Sequence, residues 1–320
     1  MITINDIDIF VLSYNREVYL LEMLESLMSQ SIGSFEIKIL DNGSADNTQI
    51  SIANLNNENI IFLGSEKNNG ALWNFERAQN FASKKYTILF HDDDLIHPKY
   101  LEYVVKALNE QKDLSIVCSG MRATTKPNSN NWKKYHYQPI VFDKLSKFTS
   151  LIYLGFPLNF ATVVYKTEYL KNAKIDFEQF GKIADRPLVF DCVQDGKIAL
   201  FAGQYIQYRM HESQDSKNSK SGPFYNETIA LHTKYKSLIF KDDFFIPKIF
   251  FLANFYKYIV EEYDRFFDIP YSKKEYIDLV VDATKINKNE LFLSQFFYKT
   301  KIESLYKLYR FFKRKFGQYS

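Results

Sequence analysis

The chain is 320 residues long, 46% hydrophobic and 17% aromatic, which is enough for one large globular domain with an appendage or for two domains. Its formal charge of +3 conceals a basic tail, because residues 298–320 hold seven Lys and Arg against Glu303 alone, a local +6 that leaves −3 for the rest and argues against the spread basic face of a nucleic-acid-binding domain. Only Cys118 and Cys192 are present, in no metal-ligand spacing, which argues against a disulfide framework or structural zinc and for a reducing, cytoplasmic location.

In chain order, MITINDIDIF has neither the basic start nor the long apolar stretch of a secretory signal, so none is expected. Asp8 to Ser13 reads as a buried strand, followed by Tyr14, Asn15 and Arg16 and by a helix carrying Leu20, Leu24, Leu27 and Met28 at helical spacing. Phe35 to Leu40 is a second strand closing on Asp41, with the turn Asn42-Gly43-Ser44 after it and Ser44 or Asp46 as cap of the next helix. Asn59 to Leu63 is a third, ending in the turn Asn68-Asn69-Gly70 before a helix from Ala71 to Ser83. A fourth, Tyr86 to Phe90, runs into Asp92, Asp93 and Asp94. Adjacent carboxylates repel by about 4 kcal/mol at contact and an effective dielectric near 20, so this triplet needs cations, donors or water; the alternative is an exposed acidic turn before the helix starting near Pro98.

The β-α-β-α-β-α-β succession predicts a Rossmann-like, doubly wound and mainly parallel sheet, with all four polar strand ends on the edge where open α/β sheets bind ligands. Neither GxGxxG nor GxxxxGK follows the first strand, which argues against a dinucleotide fold and a P-loop. A helix over Lys99–Lys112 and a strand over Leu114–Met121 come next, then a polar, irregular stretch from Thr124 to Pro139 holding Trp132, Tyr135 and Tyr137. Phe156 to Asn159 reads as a loop entering the strand FATVVY. The segment Gly181–Asp195 offers Asp185, Asp191 and Asp195, and Ile198–Arg209 is a strand leading to His211. His91 and His97 flank the acids, and strand alternation and the helix start give both structural roles. Ser216–Gly222 reads as a linker, which divides the chain into an α/β domain over 1–217 and a helical region over 218–320. Its last helical segment, 288–316, carries an apolar stripe of Ile302, Leu305, Tyr309, Phe312 and Phe316 beside basic residues; such a helix lies on an anionic membrane or packs on the domain or a second subunit.

The stretches LSYNRE (Leu12–Glu17), LDNGSADNT (Leu40–Thr48), NNGALWNFERA (Asn68–Ala78) and HDDDLIHP (His91–Pro98) together resemble the family 2 glycosyltransferases, which have the GT-A fold. The resemblance implies a nucleotide-diphosphate sugar, by resemblance a UDP-sugar, bound by Ser13, Tyr14, Asn15, Arg16, Asp41, Asn69, Gly70, Asp92 and Asp93. In it Tyr14 packs on the base, Asp41 accepts a hydrogen bond from its imide, and Asp92 holds the nucleoside; Ser13 stands where the family often has proline. Asp94 and His211 are then the ligands of Mn²⁺ or Mg²⁺, and Asp185 is the catalytic base, with Ala184 in place of an acidic neighbour. Trp132, Tyr135 and Tyr137 either stack on an acceptor sugar or pack on the domain's own surface. The family's processive members carry QxxRW and membrane helices; with neither, this chain is expected to add one sugar, with inversion, to a glycan or lipid-linked acceptor in surface polysaccharide synthesis, at the inner face of the membrane if associated with one. A sugar-1-phosphate nucleotidyltransferase and a non-catalytic glycan-binding protein are the alternatives, and oligomerisation stays open.

Overall fold

A computed structural model describes residues 1–155, 160–193, 196–212, 225–264 and 270–300. The first half of the chain runs β1 (Ile7–Ser13), α1 (Glu17–Met28), β2 (Ile37–Asp41), α2 (Thr48–Asn54), β3 (Ile60–Leu63), α3 (Ala71–Phe81), β4 (Tyr86–His91), β5 (Leu95–Ile96), α4 (Tyr100–Glu110), β6 (Leu114–Thr124) and β7 (Pro139–Phe142). The second half runs α5 (Leu145–Thr149), β8 (Val164–Lys166), α6 (Thr167–Asn172), α7 (Phe177–Phe180), α8 (Asp185–Asp191), β9 (Lys197–Arg209), α9 (Tyr225–Phe240), α10 (Phe245–Tyr263), α11 (Lys273–Ala283) and α12 (Lys288–Lys299). The chain divides into two compact units, one of residues 1–143, 157–177 and 184–217, the other of 144–156, 178–183 and 218–320.

The first unit is built on one sheet of order β3-β2-β1-β4-β8-β6-β9-β5, with β7 paired to β9. The pairs β2–β3, β1–β2 and β1–β4 are parallel, as the β-α alternation requires. Phe10, Val11, Ile39, Leu40, Ile88, Leu89 and Phe90 are fully buried, as expected of strands covered on both faces. Leu20, Met23, Leu24 and Leu27 of α1 join the core.

Beyond β4 the sheet turns mixed, because β8 enters antiparallel between β4 and β6, and β5 and β7 pair antiparallel with β9. The GT-A expectation holds, with the parallel pairing in two blocks: the first four strands, and β6 beside β9, which run parallel from Leu114–Lys197 to Thr124–Arg209. Of the expected strand FATVVY only Val164 and Tyr165 pair, in a strand that runs on to Lys166, while Phe160–Thr162 forms a 3-10 turn. The acids also do not open a helix. Leu95 and Ile96 first pair with Ile206 and Gln207 as β5, and α4 begins at Tyr100, so the acidic turn is sewn to the end of β9.

In the second unit α10 buries Phe251, Leu252, Phe255, Ile259 and Val260. Ser272 with Glu275 and Asn287 with Glu290 form capping boxes that start α11 and α12. Phe292, Leu293, Phe296 and Tyr298 of α12 are exposed. The expected apolar stripe from Ile302 to Phe316, the loop 156–159 and the linker 216–222 lie outside the described residues. No described helix is long and apolar enough to cross a membrane.

Candidate active site

Strand register sets the rim. Ser13 stands opposite Asp41 and Leu12 opposite His91, so Ser13, Asp41 and Asp92 end their strands at neighbouring levels. Asp41 is buried and accepts hydrogen bonds from the Ser44 amide at 2.9 Å and the Ser44 hydroxyl at 2.5 Å. That hydroxyl oxygen accepts from the Asn15 amide at 2.8 Å, and Asn15 Oδ1 accepts from the Ala45 amide at 2.7 Å. Asn15 holds φ at 50°, a left-handed conformation that Asn tolerates better than most residues. Tyr14 is 40% exposed beside this lattice.

The turn after β3 is tied to the turn after β2. Asn42 Nδ2 donates to Asn68 Oδ1 and to the Gly70 carbonyl, both at 3.0 Å, and Asn42 Oδ1 accepts from the Asn69 amide at 3.1 Å. Gly43 sits at φ 73°, where a Cβ would come within 2.4 Å of the Lys67 carbonyl carbon, so only glycine lets the turns touch. Arg77, a residue that the sequence reading passes over, donates to the carbonyls of Asp41 (3.0 Å) and Leu63 (2.8 Å) and lies 4.7 Å from the Trp73 ring centroid. It thereby fixes the ends of β2 and β3 from α3.

The three acids are buried. Asp92 accepts from the Tyr14 amide and the Arg16 guanidinium, each at 3.0 Å. Burial, aided by the Asp93 charge, still pushes the Asp92 carboxyl up to about 6, against the pull of Arg16 and the Tyr14 amide. One oxygen of Asp93 meets Arg16 at 3.1 Å and His211 Nε2 at 2.9 Å. Asp94 accepts the Arg209 amide at 3.0 Å, and burial with the charges of Asp93 and Asp92 holds its carboxyl well above the usual range. Arg209 also donates to the Asp93 carbonyl, pairs with Glu22, and lies 4.4 Å from the Tyr19 ring centroid, while Tyr19 meets His211 at 4.9 Å. Tyr19, Glu22 and Arg209 thus brace the acidic turn, a role that sequence spacing does not reveal.

Three buried polar atoms remain unpartnered here: Ser13 Oγ, Asp93 Oδ1 and Asp94 Oδ2. Buried carboxylate oxygens without donors call for a cation, and an all-oxygen acidic set suits a hard divalent ion. His91, Asp93 and Asp94 each offer one donor atom, all within 4.8 Å of one another. The residues therefore fit a divalent metal.

Asp185 opens α8 and is half-buried. Its carboxyl is raised by burial, which outweighs the Arg186 and His91 charges. That His91 acts on Asp185 electrostatically places the two in one neighbourhood. Asp191 closes the same helix, and Asp195 lies outside the described residues. Trp132 packs on His97, Tyr135 on His97 and Tyr205, and Tyr137 on Tyr103 and Phe201, so all three meet the domain's own rings.

The family described as "Glycosyl transferase family 2" matches residues 8–167. An uncharacterized glycosyltransferase of Methanocaldococcus jannaschii is 24% identical over 261 residues, covering 79% of this chain and 88% of that protein. The chondroitin synthase of Pasteurella multocida is 25% identical over 185 residues, 56% of this chain but 19% of that protein. Among solved structures, S. aureus TarS in complex with UDP-GlcNAc aligns with a TM-score of 0.62 at 17% identity, covering 95% of this chain and 91% of that one, and so shares the fold.

Proposed function

The chain belongs to glycosyl transferase family 2, and on that premise we propose that it is an inverting enzyme moving a single sugar from a UDP-sugar to a hydroxyl of a glycan or lipid-linked acceptor in surface polysaccharide synthesis. The observation that carries this reading is the pair of buried, unpartnered carboxylate oxygens on Asp93 and Asp94 at a rim whose other strand end presents Asp41. A UDP-sugar is supported by the fold shared with TarS, whose structure holds UDP-GlcNAc.

In this reading Tyr14 stacks on the base, Asp41 accepts from its imide, and Ser13, Asn15, Arg16, Asn69, Gly70, Asp92 and Asp93 complete the donor site. Asp94 and His211 hold the divalent cation, Mn²⁺ or Mg²⁺. When bound, that ion supplies Lewis-acid stabilisation of the departing diphosphate. Asp185 takes the proton of the acceptor hydroxyl as its oxygen bonds to the anomeric carbon, while the bond from that carbon to the diphosphate breaks and its electron pair leaves with the nucleotide. Burial raises this carboxyl above its ordinary value, which makes the carboxylate a stronger base for that task. The α/β domain of 1–217 carries this chemistry and the helical region of 218–320 meets an anionic membrane surface at the inner face. The exposed aromatics of α12 and the basic tail support that contact.

The test is incubation with UDP-sugars, Mn²⁺ and glycan acceptors, with NMR assignment of the new linkage. Inversion of the donor's anomeric configuration is expected. Retention, pyrophosphate release from UTP and a sugar phosphate, or glycan binding with no turnover of any donor would overturn the reading.

A further inference from the structure

We propose that His91 is a ligand of the divalent cation, so that this chain grips the ion through the imidazole at the end of β4 as well as through carboxylates. The proposal rests on the reading of Asp94 as a metal ligand and extends it to a residue that sequence alone assigns to structure.

Geometry is the first argument. The donor atoms of His91, Asp93 and Asp94 lie within 4.8 Å of one another. Ligands facing each other across an ion at about 2.1–2.3 Å are about 4.2–4.6 Å apart, so a contraction of a few tenths of an ångström brings all three into one shell. The donors are also unsatisfied. Asp93 Oδ1 and Asp94 Oδ2 are buried and unpartnered. Of the four histidines that are not exposed, His97 has both ring nitrogens hydrogen-bonded, to Lys133 and Lys99, and His232 has both bonded, to Tyr153 and Glu262. His211 spends Nε2 on Asp93. Among the described residues, His91 makes no side-chain hydrogen bond; its ring is held by stacking on Phe160, with centroids 5.6 Å apart and planes 24° apart. A ring oriented by its face keeps both nitrogens available.

An imidazole ligand has a chemical consequence. Mg²⁺ prefers an oxygen shell, whereas nitrogen ligands favour the later divalent ions, so His91 biases the site toward Mn²⁺.

The test needs no turnover: pulsed electron paramagnetic resonance of Mn²⁺ bound with UDP, in the absence of acceptor. In His211→Gln, ¹⁴N modulation from a coordinated imidazole is expected to persist, and in the His211→Gln/His91→Gln double variant to vanish. Labelling the His211→Gln protein with ¹⁵N-histidine should shift that modulation, a check that leaves His91 in place should its replacement impair folding. By calorimetry, His91→Gln should reduce the Mn²⁺-over-Mg²⁺ affinity ratio about tenfold. Absence of ¹⁴N modulation in His211→Gln, or its survival in the double variant, would overturn the proposal while leaving Asp94 as a ligand. Undiminished Mn²⁺ binding by Asp94→Asn would instead overturn the reading beneath it.

Discussion

Two buried polar clusters in this chain differ in one respect. In the helical unit, the Tyr153 hydroxyl bonds to His232 Nδ1 at 2.7 Å and His232 Nε2 to Glu262 at 2.7 Å, amid the rings of Phe251, Phe255 and Tyr258. None of these three side chains is among the buried groups lacking a partner. At the sheet rim, Ser13, Asp93 and Asp94 each keep an unpartnered buried atom. A closed network stabilises the fold it sits in; an open one is held against its own desolvation by the structure around it and is completed by a ligand. The first cluster should therefore govern stability and the second function.

The largest separation is expected at the base of the proposed reaction. Asp185→Asn should lower kcat by about 10²–10⁴-fold with UDP affinity retained, read by steady-state kinetics beside calorimetry. Since burial raises the Asp185 carboxyl, the acid limb of kcat/KM in the wild type should lie above the ordinary aspartate range, because the base is lost to protonation as pH falls through that raised value. The closed network should behave oppositely. His232→Leu leaves Tyr153 and Glu262 without their partner and should destabilise by about 2–4 kcal/mol in denaturant titration, with UDP affinity unchanged in the folded protein.

The open cluster should also carry a pH signature in the metal-free protein. The Asp92 carboxyl stands at about 6 in the folded chain against 3.8 unfolded, so its contribution to stability is complete below the lower value and lost as pH rises through the upper one. Relative to Asp92→Asn, the wild type should lose about 2 kcal/mol between pH 4 and pH 7. The smallest effect is expected at Arg77, which holds Asp41 by its carbonyl. Arg77→Lys should weaken UDP binding by about 1 kcal/mol and relax discrimination between uracil and other bases. An unchanged base preference would confine Arg77 to packing.

Much of the rim is legible in the sequence because local patterns produce it. The apolar runs ending at Ser13, Asp41 and Asp92 announce buried parallel strands, and the turns at Asn42-Gly43 and Asn69-Gly70 need the residue types found there. What escapes reading depends on long-range pairing. The two-residue β5 and three-residue β8 are too short to show periodicity and exist because β9, β4 and β6 accept them. Arg77 reaches carbonyls of distant strands, and Arg209 reaches acids far back in the chain, so neither has a local signature. His91 looks like one more strand residue until its ring, which hydrogen-bonds to none of the described residues, and the Asp93 and Asp94 oxygens are seen together.

The most direct test of the central claim, that the acidic turn would hold a divalent cation together with the nucleotide diphosphate, is calorimetric titration of UDP with and without Mn²⁺ into the wild type and Asp94→Asn. Mn²⁺ should tighten binding to the wild type at least about tenfold and leave the variant unmoved. Equal affinity with and without the metal in the wild type, or full tightening in Asp94→Asn, would contradict it.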